Sequence, residues 1–217
     1  MKIDKDCYGT IILTWLFCLV LIFIWQKFIG LKAVAWILTG ITVVYMLFIA
    51  WFHRVPVRRR CGNGKVITSV ADGKVVILEK VYEKEYLKKE CIQVSIYMNF
   101  FDVHSNFWPV DGTVSYYKYH PGKYLLAFLP KASDDNEHSS TAIKNEHGEI
   151  FFKQIAGFIA RRIVCYSKEG MEVKSGSQCG IIKFGSRIDI FLPLDAKIMV
   201  RKGDLTRACE TVIAELP

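Results

Sequence analysis

Residues 11–25 (IILTWLFCLVLIFIW) and 33–52 (AVAWILTGITVVYMLFIAWF) contain no charged side chain, and only QKFIGLK lies between them. Backbone polar groups in hydrocarbon must be satisfied within the segment, so such runs form helices where they meet lipid. Twenty helical residues span about 30 Å, the thickness of a hydrocarbon core. Fifteen span only about 22 Å, so the first arm needs Tyr8 and a snorkelling Lys27 to reach across. The pattern predicts a membrane-anchoring helical hairpin over residues 1–53 and a second domain over 54–217. A cleaved secretory signal fits less well, because the apolar run is too long, no A-x-A site follows and a second span comes at once.

Arg54, Arg58, Arg59 and Arg60 follow the second run, while the loop between the runs has Lys27 and Lys32. The positive-inside tendency then places both termini, and everything after residue 53, on the cytoplasmic face of the cell membrane. The seven cysteines agree, being odd in number, scattered and without a C-x-x-C pair. They indicate a reducing compartment and neither a disulfide framework nor a metal site. The net charge of +8 comes without a basic helix, an RRM-like aromatic signature or a zinc motif, so nucleic acid is not the expected partner. An anionic membrane surface is, each nearby Lys or Arg contributing about 1 kcal/mol.

Beyond residue 62, turn signals and strand patterns alternate. Asp72-Gly73 precedes KVVILEKV, Lys88-Lys89-Glu90 precedes CIQVSIYM, Asp111-Gly112 precedes TVSYYKY, Pro121-Gly122 precedes KYLLAFL, and Lys202-Gly203 ends AKIMVR. The expected class is α+β, mostly β, built from hairpins. One amphipathic helix is predicted over 151–162, where Phe151, Ile155, Phe158 and Ile159, with Ile163 beyond, recur at a period near 3.6. Residues 130–149 are polar and read as a surface loop or hairpin. Two phrases echo, ADGKV (71–75) with VDGTV (110–114) and KEGMEVKSG (168–176) with RKGDL (201–205). The second resembles the hairpin repeats of biotinyl and lipoyl carrier domains, though the Met-Lys-Met of such carriers is missing.

In 181-IIKFGSRIDIFLP-193, strand-forming residues flank Gly185-Ser186. Thirteen residues is long for one strand and glycine weakens a strand interior, so a bulge or a specific backbone requirement is expected there. Of the histidines, His53, His138 and His147 read as solvated surface residues and His120 as a member of a Pro-Gly turn. His104 lies in the Phe-rich segment MNFFDVHSNFWPVDG (98–112) beside Asp102, Ser105 and Asn106. That segment reads as buried, and buried polar groups require partners.

Taken together, ADGKV (71–75), FFDVHSN (100–106) with PVDGTV (109–114), YHPGKY (119–124), NEHSS (136–140), QIAGFIARRIVCY (154–166) and IKFGSRIDIFLP (182–193) resemble the phosphatidylserine decarboxylases, in their short bacterial and archaeal branch. The match runs from about residue 52 to the end, in the family's order and spacing. FHRVP (52–56) is similar to the phrase that follows the membrane segment in that family.

The resemblance implies a self-cleaving enzyme. Ser186 Oγ attacks the Gly185 carbonyl, the polypeptide splits into a large chain of residues 1–185 and a small chain of residues 186–217, and Ser186 becomes a covalent pyruvoyl cofactor. The two chains stay together as a heterodimer. A hydroxyl is a weak nucleophile without a base. By resemblance His104 is that base, oriented by Asp72 in a Ser-His-Asp arrangement. The pyruvoyl ketone then forms a Schiff base with the amine of phosphatidylserine and accepts electrons as carbon dioxide leaves, giving phosphatidylethanolamine. In the longer bacterial branch a second histidine follows three residues after the first. Here that position is Phe107, so His104 does both jobs or His120 assists. Position 187 is arginine, as is common in the short branch. The alternative is a non-enzymatic, membrane-tethered carrier or adaptor domain with Gly185-Ser186 as a plain bulge.

Overall fold

The computed structural model describes residues 2–59, 64–122, 136–157, 163–183 and 186–217. Two units emerge, one over residues 1–56 and one over 57–217.

In the first unit, β1 (Lys2–Ile3) leads through a short 3-10 turn to α1 (Tyr8–Phe28) and α2 (Lys32–Phe52), and β2 (Arg54–Val55) pairs back onto β1. Helix α1 extends beyond the charge-free run at both ends. Its 21 residues span about 32 Å, which removes the deficit of the first arm. Polar side chains stitch the hairpin: Trp25 Nε1 donates to Thr42 Oγ1 at 3.2 Å, and Gln26 Nε2 to Thr39 Oγ1 at 3.0 Å. Elsewhere the helices turn Leu13, Phe17, Phe23, Trp36, Val44 and Leu47 outward, all well exposed. Both helices are long and apolar enough to cross a membrane. His53 is fully buried against α2, its Nδ1 2.8 Å from Ile49 O, and is not the solvated residue expected.

The second unit contains β3 (Val66–Thr68), β4 (Gly73–Glu83), β5 (Lys89–Met98), β6 (Ser105–Phe107), β7 (Gly112–His120), β8 (His138–Asn145), β9 (Gly148–Ala156) and β10 (Ile163–Cys165). It continues with β11 (Glu172–Val173), β12 (Gln178–Ile182), β13 (Ser186–Leu192), β14 (Lys197–Ile198), β15 (Leu205–Thr206) and β16 (Val212–Glu215). The main sheet is antiparallel, in the order β11-β7-β8-β9-β13-β5-β4-β15. Smaller sheets run β10-β12-β6 and β14-β16-β3. The class is α+β and mostly β.

The two sequence echoes occupy equivalent places at opposite edges of the main sheet. Strand β4 begins at Gly73 and pairs with β15, while β7 begins at Gly112 and pairs with β11. A Cβ on Gly73 would collide with Tyr97 O, and one on Gly112 would lie 2.6 Å from Lys144 O, so each position needs glycine for close strand approach. In the paired turns, Gly203 N–H donates to Val75 O and Gly170 N–H to Val114 O, both at 2.8 Å. Gly170 and Gly203 sit at φ +80° and +103°, where only glycine is comfortable.

Three expectations are corrected. Residues 151–156 form the end of β9 and not a helix, and 158–162 lie outside the described residues. Phe151 and Ile155 do share a face, but so do Phe152 and Gln154 on the other side. Every residue from Ile150 to Ala156 is buried because β9 lies between β8 and β13 with both faces covered. A strand buried on both sides loses the alternation that distinguishes it from a helix. Second, the polar stretch 130–149 does enter a hairpin, β8 (His138–Asn145) turning into β9, but not at the surface: the first six residues of β8 are buried, and its Ser and Thr hydroxyls are satisfied by partners such as Gln154 and Ser167. Third, the break expected within 181–193 is not a bulge inside one strand. Residues 181–182 end β12 in the small sheet and 186–192 form β13 in the main sheet, so Ile182 and Ser186 belong to different sheets.

Strand alternation gives β13 two different faces. Ile188, Ile190 and Leu192 join Met98, Ile96, Val94 and Phe152 in the main core. Arg187, Asp189 and Phe191 point the opposite way, where Phe191 packs with Cys91, Ala142 and Phe151. The six cysteines among the described residues are free thiols.

Candidate active site

Ser186 opens β13 and is fully buried, register-paired with Met98 on β5 and Ala156 on β9. Its Oγ donates to Met98 Sδ at 3.1 Å. Gln154, two residues before Ala156, lies on the same face, its Nε2 donating to Asn106 Oδ1 at 2.8 Å and its Oε1 accepting from Ser139 Oγ at 2.9 Å. Asn106 completes the loop with Nδ2 3.9 Å from Met98 Sδ. Ser186, Met98, Asn106, Gln154 and Ser139 thus form one buried polar patch in an otherwise apolar core. Gly185 lies outside the described residues.

His104 stands just before β6 and is fully buried. Its Nδ1 is 3.0 Å from Asp102 O, and its carbonyl accepts from Ile182 N–H at 3.2 Å, four residues before Ser186. Backbone pairing therefore ties His104 to the end of β12 from which the chain passes to Ser186. Phe107 is buried on the same short strand.

Asp72 is placed differently. Its Oδ1 accepts from Ala208 N–H at 2.8 Å and its Oδ2 pairs with Arg58 at 2.5 Å. The structure does not bring this carboxylate to the His104 imidazole. Arg58, expected in a basic collar, is instead nearly buried in this ion pair. Two residues before Asp72, Val70 O accepts from Phe107 N–H at 2.9 Å, and Phe107 sits on the strand that His104 precedes.

His120 lies across the sheet. The pairing His120↔His138↔Ile155↔Arg187 places it on the face of Arg187, opposite to that of Ser186. His138, expected at the surface, is buried there, and its ring stacks on His120 at 4.4 Å. His120 Nε2 is 2.7 Å from Glu85 Oε1, Lys153 Nζ is 2.9 Å from Glu85 Oε2, and Ser140 Oγ donates to Oε2 at 3.0 Å. Glu85, His120 and His138 could each offer a metal ligand atom within 4.8 Å of the others. A metal must lie in the plane of each imidazole that binds it, however, and rings tilted by only 13° in a stack do not converge on one point. With an ammonium already on Glu85, the cluster is a satisfied ion-pair network.

Burial works to raise the Glu85 pKa, but the hydrogen bond and charge of Lys153, then those of His120, bring it down to about 2. Burial pushes His138 the other way, below its ordinary value. A folded carboxylate pKa below the unfolded one adds stability that is full above about 4.5 and is lost as pH falls towards 2. Glu85→Gln is therefore expected to lower the thermal midpoint at pH 7, and the gap from wild type should narrow as pH drops through that window. A gap independent of pH, measured by circular dichroism melts, contradicts this assignment.

The sequence matches the family model for phosphatidylserine decarboxylase over residues 45–214. The chain belongs to the phosphatidylserine decarboxylase family. Within that family, the phosphatidylserine decarboxylase proenzyme of Amoebophilus asiaticus is 50% identical, over 78% of this chain and 76% of its own length. The proenzyme of Prosthecochloris aestuarii is 43% identical over 82% and 81%. That of Porphyromonas gingivalis is 38% identical with both chains fully covered. For this decarboxylase family member, the sequence pointed to Ser186, His104 and Asp72 as site residues and gave no sign of Met98 and Gln154, which the structure sets in the same buried patch as Ser186. The strand register, which pairs Met98 with Ser186 and sets Gln154 opposite Ile188, is the signal that finds them.

Proposed function

We infer that this protein decarboxylates phosphatidylserine to phosphatidylethanolamine, using a pyruvoyl group that it makes from its own Ser186 by cutting the chain after Gly185. Family membership supports the reaction, and one observation carries the assignment of the group. Ser186 is the first residue of a central strand, fully buried, at the point where the chain passes from one sheet to another. The site fits such a group: a carbonyl formed there is shielded from bulk water and borders the side chains of Met98, Asn106 and Gln154.

His104 takes the Ser186 Oγ proton as Oγ attacks the Gly185 carbonyl carbon. The C–N bond between residues 185 and 186 breaks, leaving an ester at Oγ and a free amine on residue 186. Loss of the Ser186 α-proton then breaks the Cβ–Oγ bond, and Gly185 departs as a carboxylate. Water hydrolyses the remaining enamine through its imine, ammonia leaves, and residue 186 ends as a ketone. Such a pyruvoyl group, held beside Met98, would supply a carbonyl able to take up the substrate amine and to accept the electron pair released with carbon dioxide. His104 returns a proton to the substrate carbon. With Phe107 in place of a second histidine and His120 on the other face, one imidazole serves both stages.

The two cut chains remain one molecule. Strands β13, β15 and β16 of residues 186–217 pair with β5, β9, β4 and β3 of residues 1–185, so breaking one peptide bond leaves these ladders intact. The helical hairpin anchors the enzyme in the cell membrane, with the catalytic domain on the cytoplasmic side, and the net positive charge favours anionic lipid.

Purified full-length protein in detergent is expected to release carbon dioxide from phosphatidylserine, and acid hydrolysis of its small chain to yield pyruvate. Absence of both results contradicts this function. Asp72→Asn separates two roles for that residue. If Asp72 acts by holding the turn behind the His104 strand, the variant cleaves and loses stability, by about 1–3 kcal/mol for a weakened ion pair. If it must leave Arg58 and meet the His104 imidazole, the variant stays uncut as well as less stable.

A further inference from the structure

The segment 98–112, expected to be buried for its aromatic content, is buried at Met98 and over residues 103–110, but not at the phenylalanines before His104. Phe100 is 37% exposed and Phe101 73% exposed, in the turn that joins β5 to β6. The turn itself is firmly built. Asp102 N–H donates to Asn99 O at 3.1 Å, Asn99 N–H to Asp102 Oδ2 at 2.8 Å, and Phe101 N–H to Asn99 Oδ1 at 2.8 Å. Two large aromatic side chains are thus presented on a preorganised support, at a cost in water that a polar turn would avoid.

The same turn is coupled to the candidate active site at both ends. Met98, one residue before it, meets Ser186 Oγ, and the Asp102 carbonyl at its close holds His104 Nδ1. A phosphatidylserine headgroup must reach the fully buried Ser186 while its two acyl chains stay in an apolar phase. The lip beside the site must then accept hydrocarbon, and a phospholipid surface is the partner whose chemistry suits exposed phenylalanines on a basic protein.

We propose that Phe100 and Phe101 form a lip that enters the headgroup–acyl boundary of a phospholipid surface and delivers the substrate headgroup to Ser186. The proposal rests on the decarboxylase reading above. Its test uses full-length enzyme and the variant Phe100→Ser/Phe101→Ser, assayed on long-chain phosphatidylserine in mixed micelles and on a short-chain phosphatidylserine dissolved as monomers. The variant should still self-cleave, which reports an intact fold. Its KM on the micellar lipid is expected to rise about tenfold, from the lost apolar burial of two rings. Its kcat/KM on the monomeric substrate should stay within about twofold of wild type. Phe100→Leu/Phe101→Leu, which keeps apolar surface, should restore the micellar KM. Should the double serine variant fail to cleave, Phe101→Ser alone, at the more exposed position, takes its place. Equal losses on both substrates, or no loss on either, overturn the lip. A wild-type enzyme inactive on both substrates overturns the decarboxylase reading instead.

Discussion

Ser186→Ala is expected to leave one uncut chain without decarboxylase activity. Removing Oγ removes the only atom at that position able to attack the Gly185 carbonyl, and alanine cannot lose water or ammonia to become a ketone. The substitution is small and apolar, at a site already lined by Met98 Sδ, so the fold should survive; the Ser186–Met98 contact is a weak one. Activity should fall by at least about 10⁴-fold, the scale of removing a catalytic nucleophile. Gel electrophoresis under denaturing conditions and carbon dioxide release read the two effects separately. A cut Ser186→Ala chain places the scissile bond elsewhere.

His104→Ala has the second largest expected effect. His104 is a fully buried imidazole tied by backbone to Ile182 and by Nδ1 to the Asp102 carbonyl. Without it no described histidine on the Ser186 face replaces the base, since His120 and His138 lie on the other face of the main sheet and are engaged with Glu85 and Asn136. Loss of a general base costs about 10²–10⁴-fold. Cleavage should therefore stall over hours in a purified His104→Ala sample, with the intact chain accumulating. Wild-type cleavage rates in this variant take His104 out of the base role and leave Ser186 to be activated by backbone or water. His120→Ala is the matched control and should cleave normally, with lower stability from the broken Glu85 pair.

Legibility in the sequence followed the periodicity of burial. The helical hairpin was plain because lipid-facing helices are apolar all round, and β4, β5 and β7 were found because each begins or is bounded by a turn signal such as Asp72-Gly73 or Asp111-Gly112. Strand β9 was misread because burial on both faces leaves Phe151, Phe152, Ile155 and Ala156 without alternation. The burial of strand β8 was misread because its hydroxyls are satisfied inside the protein, and a buried Ser-Ser-Thr run looks solvated until its partners are known. The Gly185-Ser186 pair looked like a flaw within one strand because β12 and β13 are consecutive and equally β-branched. Their assignment to different sheets depends on long-range pairing that no local pattern carries. The site was legible as residue types and not as contacts: Ser186 and His104 are both fully buried, whereas the Asp72 carboxylate is held by Arg58 and Ala208 N–H.

The central claim is that the peptide bond before Ser186 does not survive in the working protein. Mass spectrometry of the purified polypeptide under denaturing conditions tests it most directly. The expected result is two species, residues 1–185 and residues 186–217, the smaller resistant to N-terminal sequencing because residue 186 carries no amine. A single intact chain that nonetheless decarboxylates phosphatidylserine at full rate contradicts the account.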